Sequence, residues 1–245
     1  MKCLVDTDVL VYQAANAATT IMEADHGDDF VLFPTVSLGE ATTIFDHLVE
    51  QIRDMTEADE LYFALSAPSN FRKTLYADYK ANRKGDRPMA YSHLREHAVD
   101  KYSAEWLPEL EGDDMIGINS GPGTVIWSID KDMRTLPGLH VDLSTGDIID
   151  ISEADALRNW MTQVLTGDAA DNYPGCRGIG KVRAERLLED VEATVEDMWP
   201  VVLQAYNKSG QGEAEALVMA QLARILHPTD YQNGEIQLWT PTTMQ

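Results

Sequence analysis

The stretch KCLVDTDVLVYQ, residues 2–13, sets the expected fold. Its first part, KCLVD, is largely apolar and predicts a short buried strand, and Val9 to Ala18 has the apolar spacing of a helix. Strands and helices continue to alternate along the chain, which predicts an α/β protein with a mostly parallel central sheet flanked by helices. The further strands are predicted at ELYFAL (60–65), TVIWSID (124–130), LHVDL (139–143) and DIIDI (147–151), and the further helices at 36–55, from Gly112, at 152–166 and from Lys181 onward.

Two aspartates, Asp6 and Asp8, stand where the first strand gives way to the first helix. Three interpretations compete. An aspartate at a helix start caps free backbone N–H groups. A pair of aspartates can supply the nucleophile and the general acid of a phosphatase. A carboxylate at the carboxyl end of a parallel strand, where ligands gather, can belong to a metal-binding cluster.

The composition is ordinary for a globular protein of one large domain, or of a domain with an appendage. No apolar run reaches the length of a membrane span, so no membrane association is expected and the cytoplasm is the expected compartment. Cys3 and Cys176 have no paired spacing, which argues against a disulfide framework and a zinc site.

The formal charge of −22 opposes binding to nucleic acid, but the basic residues are concentrated in two groups. Such groups provide local contacts for phosphates even on an acidic protein, although each alone could be a solvated helix face. They consist of Arg72, Lys73, Lys80, Arg83, Lys84 and Arg87, and of Arg177, Lys181, Arg183 and Arg186.

Acidic residues recur at the ends of the predicted elements. Any one of them can be explained as a helix cap, but converging carboxylates repel one another and need bound cations to stay ionised together. Oxygen ligands favour Mg²⁺ or Mn²⁺ over zinc, and two such ions about 4 Å apart are a common device for phosphodiester hydrolysis. The set comprises Asp6, Asp8, Glu111, Asp113, Asp114, Asp130, Asp132, Asp168 and Asp171.

A different class of enzyme fits part of this pattern. DTDVL (6–10) resembles the opening of haloacid-dehalogenase-type phosphatases, and GDAAD (167–171) resembles their late acidic motif. Asp6 would then be the covalent nucleophile and Asp8 the general acid/base, with one Mg²⁺. That interpretation leaves Glu111, Asp130 and the basic groups unexplained. A non-catalytic, structure-specific DNA-binding protein is a further alternative.

The segment GDAADNYPGCRGIGKVRAERLL (167–188) places Gly175, Gly178 and Gly180 before a helix that begins near Lys181. Glycines let a backbone approach phosphate closely, and a helix N-terminus offers free N–H groups to an anion. Because basic residues follow, the segment predicts contact with a duplex backbone that does not depend on base sequence.

Residues 70–97 combine basic and aromatic side chains. If the segment is helical, Arg72, Tyr76, Lys80 and Arg83 share one face. Rings that stack on bases beside cations that follow phosphates suit a single strand. We therefore expect a mobile segment that orders around a single strand.

Together these motifs resemble the flap endonuclease and 5′–3′ exonuclease family, which includes the nuclease domain of bacterial DNA polymerase I. The motifs occur in the family's order and cover roughly residues 1–190, and the tail MAQLARIL…IQLWTP resembles the phage replication exonucleases within it. The matching segments are FRKTLYADYKANR (71–83), LEGDDMIG (110–117), IWSIDKDMRTL (126–136) and LTGDAADNYPGCRGIGKVRAERLL (165–188).

This resemblance implies a PIN-like 5′ nuclease core at 1–166, including a helical arch at 70–97. It also implies a helix-hairpin-helix-type DNA-binding region with C-terminal helices at 167–245. Lys80 and Arg83 would be catalytic contacts to the scissile phosphate, and Tyr12 would stack on the terminal base. Two Mg²⁺ or Mn²⁺ ions would be bound by Asp6, Glu111, Asp113, Asp114, Asp130, Asp132, Asp168 and Asp171, and DNA by Tyr12, Arg72, Lys73, Tyr76, Gly175, Gly178, Gly180 and Lys181.

The implied substrate is double-stranded DNA with 5′ ends or flaps, extended to RNA–DNA hybrids. The implied role is primer removal in phage DNA replication, or degradation of host DNA, in the cytoplasm of the host cell. The resemblance further implies a monovalent cation at the glycine hairpin and no organic cofactor.

The sequence departs from the family pattern at one position. The family has an aspartate at the end of the second strand of the core, where this chain has Ala64. We expect that Asp8 or water compensates, or that one metal ion binds more weakly. Without that compensating role, Asp8 would be a cap of the first helix.

Overall fold

The computed structural model describes residues 1–26, 29–83 and 85–241, so Lys84 of the first basic group lies outside the described residues. The strands are β1 Lys2–Asp6, β2 Thr19–His26, β3 Asp29–Val36, β4 Glu60–Ala64, β5 Thr124–Trp127, β6 Gly138–Val141, β7 Ile148–Ile151, β8 Tyr231–Gln232 and β9 Glu235–Ile236. The helices are α1 Thr7–Ala17, α2 Leu38–Thr56, α3 Arg72–Leu75, α4 Tyr91–Tyr102, α5 Gly112–Asn119, α6 Glu153–Thr166, α7 Lys181–Leu188, α8 Val195–Lys208 and α9 Glu213–Ala223. Short 3₁₀ turns cover Lys131–Thr135 and Pro228–Asp230.

The central sheet has the strand order β4–β1–β5–β6–β7. β1 pairs in parallel with β4 and with β5, and β5 pairs in parallel with β6, whereas β7 runs antiparallel to β6. The predicted α/β fold with a mostly parallel sheet is confirmed. Among the described residues, no helix combines the length and apolar character needed to cross a membrane.

β1 is apolar because both of its faces are covered, as expected for a central parallel strand. Cys3 and Val5 pack with α1, α2 and α4 on one face, and Leu4 packs with α5 on the other. The strand ends at Asp6, whose side chain accepts a hydrogen bond from the N–H of Val9 and so caps α1. The first carboxylate of the chain therefore sits at the carboxyl edge of the sheet.

A separate hydrophobic core lies among α6, α7, α8 and α9. Trp160, Met161, Val164 and Leu165 of α6 belong to it, together with Tyr79 from the segment after α3. α6 therefore packs with the C-terminal helices, although it precedes residue 167. The predicted division into 1–166 and 167–245 stays a prediction.

The segment predicted as a helical arch has a different backbone. α3 ends at Leu75, Tyr76 is extended, and residues 77–82 form turns before α4 begins at Tyr91. The single helical face expected for residues 72–83 is therefore wrong. Lys80 adopts a left-handed backbone with φ of 56°, and its N–H donates to the carbonyl of Asp171 at 2.8 Å. These tertiary contacts fix a non-helical backbone although the sequence spacing favours a helix.

β2 and β3 form an antiparallel hairpin between α1 and α2 that the sequence analysis did not predict. Its apolar residues do not alternate with polar ones, which removes the usual signal of a half-buried strand. Both faces carry exposed apolar side chains, namely Ile21, Met22, Phe30, Val31, Leu32 and Phe33.

Candidate active site

The site forms at the carboxyl ends of β1 and β5, where the topology brings Asp6 close to the segment that follows β5. The hydroxyl of Ser128 donates to Oδ2 of Asp6 at 2.6 Å. Asp130 begins the next turn, and its Oδ1 accepts the N–H of Asp132 at 2.8 Å. Asp6 is therefore both a helix cap and a member of a carboxylate group, so two of the interpretations of the opening stretch are compatible.

The carboxylates of Asp6, Asp113 and Asp130 repel one another. Burial, with repulsion from Asp8 and Asp130 added, raises the pKa of Asp6 to about 6 despite the hydrogen bond from Ser128. Burial, followed by repulsion from Asp6, also raises the pKa of Asp113, and Lys80 offsets this only in part. These oxygen-only donors carry more negative charge than their surroundings neutralise, which fits a hard divalent cation such as Mg²⁺ or Mn²⁺.

Glu111 and Asp171 form a second part of the site, and they are neutralised by basic side chains. Nζ of Lys80 binds Oε1 of Glu111 and lies 3.4 Å from Oδ2 of Asp171, and Arg83 donates to Oδ1 of Asp171 at 2.6 Å. Although burial alone would raise it, Lys80 and Arg72 hold the pKa of Glu111 at about 2. The two predicted catalytic cations, Lys80 and Arg83, therefore lie beside the acidic cluster.

A third pair of carboxylates, Asp132 and Asp168, lies next to Lys131. The ammonium of Lys131 is 3.1 Å from Oδ1 of Asp132 and 3.0 Å from Oδ2 of Asp168. Within the described ranges, no three acidic, histidine or cysteine side chains surround one point as a ready-made ion site. The ligand set as a whole stays a prediction.

Arg72 and Asp114 do not take the predicted roles. Arg72 is 2% exposed, and its guanidinium donates to both oxygens of Asp114 at 2.7 and 2.8 Å. It also donates to the carbonyls of Leu222 and Arg224. Asp114 is fully buried and also accepts the N–H of Leu226. This pair joins α3 and α5 to the end of α9, so both side chains are occupied inside the fold rather than open to DNA or a metal ion.

The predicted DNA contacts fall into two groups. Lys73, Gly178, Gly180 and Lys181 are exposed, and Tyr12 is 40% exposed with its ring edge against Tyr91 at 5.2 Å between centroids. By contrast, Tyr76 is half-buried against the C-terminal helices.

Gly175 is buried rather than exposed. At its φ of 64°, an added Cβ would lie 2.2 Å from the backbone nitrogen of Gly167. Gly175 therefore shapes the loop by close backbone packing, and the expectation that it meets DNA is corrected. Gly178 and Gly180 have open space around them and precede α7, whose N-cap has no side-chain partner.

Asp8 has a structural role that was not predicted. Its Oδ2 accepts the N–H of Ser66 at 2.7 Å, and its Oδ1 accepts from Arg95 at 2.7 Å. It therefore ties α1 to the loop after β4 and to α4, whereas Asp6 is the helix cap. Ala64 lies beside Asp6 in the sheet and is fully buried. Because Asp8 is bound to these two donors, it is not placed as the general acid that the phosphatase interpretation requires.

Sequence reasoning missed three residues that organise the site. Tyr79 is buried, and its hydroxyl lies 2.9 Å from Oε2 of Glu111 and 2.8 Å from Oδ2 of Asp171. Ser128 and Lys131 bind carboxylates as described above. The available signal was position, because each of these residues is within two places of a predicted site residue.

The chain was compared with known proteins. No protein-family model matches it. The exodeoxyribonuclease of Enterobacteria phage T3 is 29% identical over 97% of this chain and 92% of that protein. A 5′-3′ exonuclease of Halalkalibacterium halodurans is 28% identical over 63% of this chain and 60% of that protein. A crystal structure of the bacteriophage T5 flap endonuclease with DNA and metal ions has a TM-score of 0.64 and 17% identity, over 93% of this chain and 89% of that one, and this likeness shows the fold.

Proposed function

We propose, on the premise that this chain belongs to the flap endonuclease and 5′–3′ exonuclease family, that it is a metal-dependent nuclease. It hydrolyses DNA phosphodiesters from 5′ ends and at 5′ flaps. The relative from phage T3 is named an exodeoxyribonuclease, and the T5 structure is of a flap endonuclease with DNA and metal ions. The first name supports hydrolysis of DNA, and the second supports a site that works with metal ions.

The observation that carries the proposal is the imbalance of charge across the site. Asp6, Asp113 and Asp130 repel one another, whereas Lys80 and Arg83 are fixed on the other side by Glu111 and Asp171. A site that attracts cations beside fixed basic groups suits a phosphodiester, because metal ions and basic side chains together stabilise the negative charge of the attacked phosphate.

The roles of the residues follow from this arrangement. Asp6, Asp113 and Asp130 would hold one divalent cation, and Asp132 and Asp168 would contribute to a second. When bound, such ions activate water and stabilise charge on the attacked phosphate. Lys80 would donate to a non-bridging phosphate oxygen, because its ammonium is held by Glu111, which in turn accepts from the hydroxyl of Tyr79. Arg83, with 57% of its side chain exposed, would contact the next phosphate.

DNA would be held at some distance from the carboxylates. Lys181 and the free N–H groups at the start of α7 would bind the duplex backbone, next to the exposed Gly178 and Gly180. Tyr12 would stack on the terminal base, since its ring is exposed on the helix that Asp6 caps. Tyr76 would instead pack beneath this surface against the C-terminal helices.

Several finer assignments belong to the same proposal. The ions are Mg²⁺ or Mn²⁺, a monovalent cation binds the glycine hairpin, and RNA–DNA hybrids are also cut. The protein acts in phage DNA replication or host DNA degradation, in the cytoplasm of the host cell, and uses no organic cofactor. The oxygen-only donor set supports the choice of ion, and the phage relative supports the setting.

One cleavage assay tests the function. Duplex and flap DNA labelled at the 5′ or the 3′ end would be incubated with the protein in Mg²⁺, Mn²⁺ or chelator. We expect metal-dependent release from the 5′ end. The variant Asp130→Asn, which keeps an oxygen to accept the N–H of Asp132, should lose cleavage and retain DNA binding, and Asp54→Asn on the exposed face of α2 is the control. Hydrolysis of small phosphomonoesters alone, or DNA binding without cleavage, would contradict the proposal.

A further inference from the structure

Lys131 occupies the point on which two carboxylates converge. Its ammonium is 3.1 Å from Oδ1 of Asp132 and 3.0 Å from Oδ2 of Asp168. Neither oxygen has another hydrogen-bond donor within the described part of the chain. A single positive charge therefore balances these two carboxylates, at distances typical of charge-assisted hydrogen bonds.

The other oxygen of each carboxylate is fixed by an amide donor. Nε2 of Gln163 donates to Oδ2 of Asp132 at 2.9 Å. Oδ1 of Asp168 accepts the backbone N–H groups of Ala170 and Asp171 at 2.6 and 3.2 Å. These bonds do not involve Lys131, so both carboxylates would keep their orientation if the ammonium moved away. What would then remain is a pair of oriented oxygens that face one cation position.

Lys131 is free to leave, whereas Lys80 is not. The side chain of Lys131 is 77% exposed, so its withdrawal breaks two polar contacts and little packing. Only 14% of the side chain of Lys80 is exposed, and its backbone is fixed by the hydrogen bond to Asp171. The two lysines near the carboxylates therefore differ in the free energy needed to displace them.

We propose that Lys131 is a positioning residue that acts as an internal counter-ion at the second divalent cation position. It neutralises Asp132 and Asp168 in the metal-free protein and must be displaced before that position fills. Among the residues described, no basic side chain forms an ion pair with Asp6, Asp113 or Asp130, and Lys80 offsets the charge of Asp113 only in part. The two cation positions are therefore unequal, and the one at Asp132 and Asp168 is the weaker. This inference rests on the proposed function only for the identity of the ions.

Mn²⁺ binding without DNA tests the proposal directly. Titration calorimetry would give the stoichiometry and dissociation constants for the wild type and for Lys131→Met, which keeps the length of the side chain and removes its charge. We expect the weaker Mn²⁺ to bind about tenfold more tightly in Lys131→Met, since a competing unit charge is removed, and the tighter one to change less than about twofold. If the wild type binds one ion only, the variant should gain a second.

Thermal melting in chelator supplies a second measurement. Lys131→Met should melt at a lower temperature than the wild type because Asp132 and Asp168 then lack a counter-charge, and saturating Mn²⁺ should raise its melting temperature by more than that of the wild type. Lys131→Arg, which keeps the charge, should behave like the wild type in both measurements.

The matched control is Lys101→Met, which removes an ammonium 2.8 Å from Asp46, away from the acidic cluster. It should leave both Mn²⁺ affinities unchanged. An unchanged or weaker second ion in Lys131→Met, or tightening at the stronger position alone, would overturn the proposal. Because no DNA is present, a protein that fails the cleavage assay could still show the expected change in Mn²⁺ binding, so the two failures are distinguishable.

Discussion

Arg72 shows how a motif residue can serve structure rather than ligand binding. Its guanidinium is buried with Asp114 and bonds backbone carbonyls near the end of α9. Arg72→Met should lower the free energy of unfolding by about 3–5 kcal/mol, because it leaves the carboxylate of Asp114 buried without a counter-charge. Urea denaturation in chelator measures this change.

The neighbouring Lys73 provides the comparison, because it is exposed. Lys73→Met should keep the free energy of unfolding within about 0.5 kcal/mol of the wild type and weaken DNA binding. The reverse pattern, a stable Arg72→Met that binds DNA poorly, would restore Arg72 as a DNA contact. The sequence placed both residues in one basic group, and spacing alone contains no signal for the long-range partner that separates them.

Asp6 should make the metal-free protein less stable as the pH rises. The folded state raises the pKa of Asp6 from 3.8 to about 6, so it binds a proton more tightly than the unfolded state does. By linkage, the free energy of unfolding falls as Asp6 loses its proton between about pH 4 and 6, and it stays lowered above that range. Asp6→Asn should therefore be more stable than the wild type at pH 7 by about 3 kcal/mol and similar near pH 4.

Denaturation in chelator at pH 4, 5 and 7 checks this dependence. Asp54→Asn on the exposed face of α2 should follow the wild type at each pH. Equal pH dependence in the wild type and in Asp6→Asn would show that burial and the neighbouring carboxylates do not raise the pKa of Asp6. The sequence did predict that these carboxylates repel, but only the sheet topology shows which of them do.

At the scale of elements, the glycine hairpin combines two uses of glycine. Gly175→Ala would place a Cβ 2.2 Å from the backbone of Gly167, whereas Gly178→Ala, at φ of 73°, meets open space. Gly178→Ala should cost about 1–2 kcal/mol for its left-handed backbone, and Gly175→Ala should cost clearly more because backbone must move. Thermal melting of both variants tests the order, and equal costs would contradict the close packing.

The elements also show where prediction from sequence succeeds. The core strands, α2, α6 and the start of α5 were predicted, because apolar periodicity and residues typical of helix starts are local signals. The segment 72–83 was predicted as a helix and forms turns instead, since its backbone is fixed by Asp171 and by the buried ring of Tyr79. Spacing in sequence could not reveal these distant contacts.

On the scale of the whole molecule, an acidic protein must bind an acidic polymer through a few exposed cations. If each exposed cation of the two basic groups neutralises one phosphate, the slope of log affinity against log salt should be no steeper than about −6. Fluorescence anisotropy with flap DNA in Ca²⁺, from low to moderate salt, measures the slope. A much steeper slope would require contacts beyond these groups. Within the described residues, the exposed cations of the two basic groups are Lys73, Arg83, Arg87, Arg177, Lys181, Arg183 and Arg186.

The hairpin of β2 and β3 has a practical consequence for anyone who handles the protein. Exposed apolar strands with free edges invite strand addition between copies, and the main force that opposes it is the mutual repulsion of molecules that carry a formal charge of −22. Added salt screens that repulsion. Concentrated stocks should therefore stay soluble longer at low salt than at high salt. Precipitation on storage would be the first sign that the hairpins of different copies pair with one another.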